Sequence, residues 1–377
     1  MSAWVLWPRD PLVVRDGRPN QGRSESATLA FPWPGTVAGV MRTRAGSDAG
    51  GRFVASDLAR LRGLGVRGPL LTDGASLYVP APRDAVAVRG VTDRLFALHP
   101  LKDTEGAVFD DGAPDTVVGF DAREVPEGKP EALPAWWSWE VFAAWLGDPA
   151  TLTRKKLDAA SVRALPRERR VHVKLNAEGV AEDAMLFETE GLRLTRVDEA
   201  HPLGGATPFG LFVDAGAEAS VRVGHGAFAG ERRLVVWEPA SVKLPTMPDT
   251  LQAHLSRSVD RVCVRVLLLT PACFDAGSQP SCAAGTPLAS HHDVETRIVA
   301  SIVPRPETVS GWDFETQRPK GTRRLVAAGS VYWIELKGAP AARLAWTEEV
   351  WMRNVSDALQ DRLDGYGLAA LGVSADA

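Results

Sequence analysis

The order in which apolar patterning changes period constrains this chain most. Strand-like runs rich in Val, Leu and Trp arrive in bunches, and only a few helical stretches separate them. A doubly wound parallel sheet needs a helix after almost every strand, and no such alternation or short-period repeat is present. A four-stranded sheet with two helices, used twice, fits the order better. The length of 377 residues is enough for two such units.

The first unit opens on Ala3 to Val14, a Trp- and Val-rich run broken by Pro8 and Pro11 that reads as a strand partly at an edge. A basic loop follows over residues 15–26, then Phe31 to Thr36 leads into a helix with Val37, Val40 and Met41 at helical spacing. A short helix near Ser56 to Leu64 precedes strands over Val66 to Val88, broken at Asp73-Gly74. Ser138 to Leu146 is an amphipathic helix within an inserted, Trp-rich segment. Arg169 to Leu175 alternates as a strand does and meets a hairpin signal at Asn176 to Gly179. Strands are expected over Leu234 to Trp237, Arg261 to Leu269, Thr296 to Val303 and Leu325 to Leu336. Glu348 to Leu363 reads as helix, and Gly365 to Val373 as a glycine loop running into a last strand.

The formal net charge of −4 argues against a uniformly cationic nucleic-acid binder, yet it is a cancellation. Residues 1–67 hold ten bases against five acids and residues 154–174 hold eight against two, whereas residues 100–149 hold eleven acids against three bases. This distribution predicts a basic RNA-facing side and an acidic insert turned toward protein or solvent. No run approaches the roughly 18 uncharged apolar residues of a membrane span, and the apolar run at Ala3 to Trp7 is too short for a signal-peptide core. Three cysteines give no disulfide framework and suit a reducing compartment, so the expected location is cytoplasmic.

The common catalytic signatures are missing. There is no P-loop, HExxH or paired CxxC, and Gly224, Gly226 and Gly230 have the wrong spacing and no following helix for a dinucleotide site, so no cofactor is expected. Cys273, Cys282, His291 and His292 share one polar loop and include zinc-type ligands. Their spacing is long for a zinc knuckle, and the alternative is an exposed loop with incidental Cys and His. His172 and His225 are the histidines flanked by bases or glycines, as a general base for metal-independent RNA cleavage would be; a strand-face residue and a turn residue are the plainer readings. What remains is arginine recurring beside glycine and aromatics, the combination that neutralises phosphates and stacks unpaired bases. The candidate surfaces are Arg15, Arg18 and Arg23; Arg42 and Arg44; Arg169, Arg170, His172 and Lys174; Arg232 and Arg233; and Arg318, Lys320, Arg323 and Arg324.

The motif order RDGRP, FPWPGTVAGVMRT, GPLL with YVPAPRD, RRVHVKLN, GERRLVVWE, LLLTPACF, PKGTRRLVAAGSVYWIEL and terminal GYGLAALG resembles the third-subunit family of the type III-B CRISPR Cmr effector, in the RAMP superfamily. The resemblance spans about Trp4 to Gly372. It implies an α+β chain of two tandem ferredoxin-like (RRM-like) domains, drawn at 1–205, with a helical insert at about 100–165, and at 206–377. It also implies a non-catalytic subunit that grips the 5′ handle of the guide RNA and docks the large polymerase-cyclase subunit and the backbone subunits, rather than forming a homo-oligomer. Carried onto this chain, the RDGRP loop is Arg15, Asp16, Gly17, Arg18 and Pro19, and the RNA-side glycine loop is Gly365, Tyr366, Gly367 and Gly372. On this reading Asp16 orders its loop, while Tyr366 or Trp33 positions splayed bases. The alternatives are a repeat-RNA endoribonuclease using His172 or His225, and a scaffold that touches protein only.

Overall fold

The computed structural model describes residues 2–15, 25–26, 28–54, 56–90, 93–101, 116–121, 125–196, 206–216, 221–281, 285–291, 293–313 and 318–374. The strands of the first half used below are β1 (Ser2–Pro8), β2 (Val66–Thr72), β3 (Leu77–Pro80), β4 (Trp136–Ser138), β5 (Ser161–Val162), β6 (Arg167–Leu175), β7 (Ala181–Leu192), β8 (Gly210–Ala215), β9 (Gly224–Phe228) and β10 (Arg233–Pro239). Eight of them form one sheet in the order β5-β4-β3-β2-β8-β1-β10-β9, antiparallel throughout. β1 lies in the interior rather than at an edge, with Trp4 opposite Val213 on one side and Pro239 on the other. Both prolines are compatible with that position, because Pro8 is the last residue of the strand and Pro11 lies beyond it.

The second sheet contains β11 (Arg261–Leu268), β12 (Glu295–Ile302), β15 (Val331–Lys337) and β16 (Ala369–Val373), in the order β12-β15-β11-β16. A two-stranded ribbon of β13 (Glu307–Val309) and β14 (Arg323–Leu325) stands beside it. In each sheet the first strand is flanked by two later strands, β8 and β10 around β1, β15 and β16 around β11. The crossovers differ. The first half carries helices α1 (Pro34–Ala45) and α2 (Leu58–Gly63) between β1 and β2, and no helix among the described residues between β8 and β9. The second half has no helix among the described residues between β11 and β12, and carries α5 (Pro340–Val350) and α6 (Leu359–Leu363) between β15 and β16. The helix expected over Glu348 to Leu363 is thus split, and Met352 takes a positive φ of 53° in the turn between the pieces.

The first sheet buries both faces. On one, Val37, Ala38 and Met41 of α1 meet Trp4, Leu6, Leu71, Leu211, Val213, Val235 and Trp237. On the other, Leu70 and Phe212 join Phe142, Trp145 and Leu146 of α3 (Trp139–Gly147) and, through them, Val264, Val266, Trp333 and Leu371 of the second sheet. The described Trp-rich part of the insert is therefore core filling between the sheets, and not an outward-turned subdomain: Trp137 and Trp145 are fully buried and meet edge to face at 5.7 Å. Indoles contribute more apolar area per residue than any other side chain, which favours this position over solvent. Much of the acidic stretch, residues 102–115 and 122–124, lies outside the described residues.

One buried ion pair ties the halves together. Asp84 accepts from Arg265 at 2.6 Å and from the Trp145 indole at 3.0 Å, and Arg265 donates onward to the carbonyls of Val373, Trp145 and Leu146. A buried pair is tolerated when its remaining donors are all satisfied, as here. The expected division at 205/206 falls short: β8 and β10 pair with β1, so the first unit continues to Pro239 and α4 (Asp249–Leu255) begins after the change of sheet.

Candidate nucleic-acid interface

A groove of about 890 Å³ runs between the halves. The pattern of α1 that turns Val37, Ala38 and Met41 inward leaves Thr36, Gly39, Val40 and Thr43 along one side of it. His225, Gly226 and Ala227 of β9, with Ala229 and Arg232 of the following turn, line another side, and Val309 to Gly311 with Lys320, Gly321 and Arg323 come from the second half. Trp33, Trp237 and Tyr366 complete the lining. Gly226 lets β9 lie close on the Trp237 ring, since a Cβ there would stand 2.9 Å from the indole nitrogen. The groove thus gathers six of the sequence-predicted residues: Trp33, Arg44, Arg232, Lys320, Arg323 and Tyr366.

These six do not share one role. Arg44 spends its guanidinium on the carbonyls of Arg222, Val223 and His225, at 2.8–3.3 Å, and so straps α1 to the edge strand; burial, then the Arg222 charge, hold it below the usual arginine range. Arg323 pairs with Asp361 at 2.5 Å and lies 5.7 Å over the Tyr366 ring. Burial works against its charge, and the Asp361 hydrogen bond together with the charges of Asp361, Cys273 and Tyr366 outweighs that, leaving the guanidinium above its ordinary value. Tyr366 is buried, its hydroxyl accepts from the Gly35 amide, and burial pushes it up to about 12. It cannot offer a face to a base. Arg232 and Lys320 are exposed and have no charge partner among the described residues, and the same holds for Arg318 and Arg324.

Other predicted residues turn out to be ties. Arg42 bonds Asp364 at 2.5 Å and the carbonyls of Leu64 and Leu363, locking α1 onto the turn after α6. Gly365 and Gly367 are buried with φ of +92° and +84°, and a Cβ on Gly365 would come 2.6 Å from the Gly68 carbonyl. The terminal glycine loop is a seam between the halves instead of an exposed cradle, because the strand that follows it, Ala369–Val373, is itself core. Gly372 lies in that strand, against Leu146. On the β6–β7 hairpin, Arg169 faces Glu188 and Glu190 at 3.6 and 3.5 Å and Arg170 meets Glu168 at 2.5 Å, so two of its predicted bases are neutralised in place. His172 stacks on Phe187 with centroids 5.1 Å apart and bonds the Thr189 hydroxyl; Lys174 is exposed further along the strand.

Arg15 and Arg233 both bind Glu231, at 3.2 and 2.8 Å. Asp16, Gly17, Arg18, Pro19 and Arg23 lie outside the described residues, as do Cys282 and His292. The two described members of the Cys/His loop have separate surroundings: Cys273 lies 3.9 Å from Arg323, and His291 pairs with Glu349 at 3.1 Å and flanks Trp346. No cluster of three metal-ligating side chains occurs among the described residues. Sequence reasoning missed Glu231, Asp361, Asp364 and Trp237. The first three carried a usable signal, each standing one to four residues from a predicted base or glycine.

The chain matches the family model described as CRISPR-associated protein (Cas_Cmr3) over residues 4–374. No curated protein matches it. Among solved structures, two cryo-EM structures of the Type III-B Cmr-beta, bound to cognate target RNA with and without AMPPnP, each contain a chain similar to this one. Identity is 11% with AMPPnP and 12% without, 88% of this chain and 86% of that chain are covered, and the TM-score is 0.46. A chain of the Csm3-Csm4 subcomplex of the type III-A CRISPR-Cas interference complex is 7% identical, with 88% and 92% covered and a TM-score of 0.37. Mostly antiparallel sheets joined by few helices define a mixed α/β protein. The near-complete family match makes the assignment particular: the chain belongs to the Cmr3 family, RAMP-like subunits of the type III-B CRISPR effector.

Proposed function

We propose that this chain is a non-catalytic RNA-binding subunit that grips the 5′ handle of the guide RNA in the groove and docks the large polymerase-cyclase subunit and backbone subunits beside it. The observation that carries the reading is that Arg232 and Lys320, both exposed and without a charge partner among the described residues, line one groove together with several glycines. Glycine-lined backbone lets phosphates approach amides, and free cations neutralise them. In each sheet the first strand lies between two later ones, β1 between β8 and β10 and β11 between β15 and β16, as the first strand of a ferredoxin-like domain does, which supports the tandem reading. No helix among the described residues is long and apolar enough to cross a membrane. The test is handle affinity of the reconstituted effector carrying Arg232→Ala and Lys320→Ala, measured at several salt concentrations. Two lost single-strand phosphate contacts reduce the slope of log K against log salt by about 1.4. Unchanged affinity and slope would favour a scaffold that touches protein only. Incubation with labelled repeat RNA in EDTA tests the non-catalytic half of the reading: cleavage lost on His172→Ala or His225→Ala overturns it.

A further inference from the structure

The turn between β9 and β10 is conformationally expensive. Ala229, Glu231 and Arg232 all take positive φ, at 52°, 60° and 52°, in a region that L-residues rarely occupy. No glycine relieves these three positions. Arg232 lines the groove, and the adjoining Glu231 carboxylate sits between two guanidinium groups, one from Arg15 far back in the chain and one from Arg233 two residues on. One Glu231 oxygen accepts from Arg15 at 3.2 Å, and the other accepts from Arg233 at 2.8 Å. Two arginines sharing the two oxygens of one anion is also how phosphodiesters are held.

We infer that Arg15 and Arg233 form a second phosphodiester-binding site beside the groove residue Arg232, and that Glu231 occupies it in the absence of RNA as an internal phosphate surrogate. The inference rests on the groove being the RNA site. All three side chains are partly exposed, so the internal pairs are weak and exchangeable: solvent-accessible ion pairs contribute little, and a phosphate of a strand that elsewhere meets Arg232 displaces the carboxylate at small cost. Arg232, one residue from the carboxylate and without a charge partner among the described residues, is placed to receive the same strand. The exchange is noncovalent and moves no proton. Its consequence is selectivity, since an isolated anion must compete with Glu231 whereas a strand that also engages Arg232 and Lys320 arrives with additional contacts.

The experiment measures binding of a fluorescein-labelled single-stranded RNA to the full-length chain over a salt series. Glu231→Gln removes the competitor and keeps the shape. The expected result is about five-fold tighter binding with a steeper salt dependence. Unchanged or weaker binding overturns the inference. Arg15→Gln with Arg233→Gln supplies an independent measurement should the first variant fold poorly: a slope lower by about 1.4 supports the site, and an unchanged slope removes it. Arg232→Ala with Lys320→Ala separates the two readings. If that pair weakens binding while Glu231→Gln fails to tighten it, the surrogate falls and the groove stands; if that pair has no effect, the groove reading falls first.

Discussion

The two halves each place their first strand between two later ones and differ in which crossover carries a helix. In the first half α1 and α2 occupy the first crossover, and the second is left to a strained turn and an edge strand; in the second half the first crossover is a long polar loop, and α5 and α6 occupy the second. Both helix-free crossovers border a cleft. The β8 to β10 connection lines the 890 Å³ groove, and Gly285 to His291 of the β11 to β12 connection line a cleft of about 660 Å³ against Arg67 and Asp214. Where a helix packs on a sheet, side chains are committed to the core; where it is missing, backbone and charge remain available. Binding, on the proposed reading, belongs to the gaps of the repeated plan and stability to its shared interior.

The largest expected effect tests that interior. Asp84→Ala leaves Arg265 buried and unpaired at the junction of α3 and both sheets, which costs about 3–5 kcal/mol. Chemical denaturation followed by tryptophan fluorescence is expected to show one transition at lower denaturant, and two separated transitions would break the claim that the halves share a core. Next is Gly365→Ala at the seam, where a positive φ and the Gly68 carbonyl both oppose a methyl group; the expected loss is about 1–3 kcal/mol. A smaller change, of opposite sign, follows Gly39→Ala on the groove side of α1, where no atom stands within 4 Å of the new Cβ. Helix propensity raises stability by about 0.5–1 kcal/mol, while the methyl narrows the groove and weakens RNA binding. Stability and affinity moving together would contradict the division of labour. The smallest effect concerns Glu307 of the ribbon, whose carboxyl burial pushes above its ordinary 4.5, with the Arg83 charge opposing. The folded chain holds that proton more tightly than the unfolded one, so stability is lost as pH rises from 4.5 through the raised value. Glu307→Gln is expected to flatten that part of the pH–stability curve.

Periodicity alone makes most strands and the capped short helix at Leu58–Gly63 legible in the sequence. It does not show that β8 and β10 close on β1, because pairing between residues some two hundred positions apart leaves no local mark. For the same reason the boundary at 205/206 cuts through a sheet. Arginine runs are legible as bases and illegible as free charge: Arg169 and Arg42 look like Arg232 in sequence, and only the fold reveals the acids that face the first two. The glycine loop at Gly365 reads as a cradle by its composition, although the apolar run Leu368 to Leu371 directly after it already marks a buried strand and therefore a buried turn. The tryptophans of the insert take their apparent character from the acidic residues around them, and burial follows the side chain rather than its neighbours.

The interior position of β1 has a consequence for biosynthesis. Its two sheet partners begin at Gly210 and Arg233, so at ribosomal rates of about 5–20 residues per second the strand made first waits roughly 10–40 s for neighbours on either side. Throughout that interval Trp4, Val5 and Leu6 have no ladder to join, and α1 has only the β2–β3 pair to cover. Assembly of the first half is therefore timed by the length of chain between β1 and its partners, and shortening the insert within that stretch would shorten the wait as directly as it would remove core.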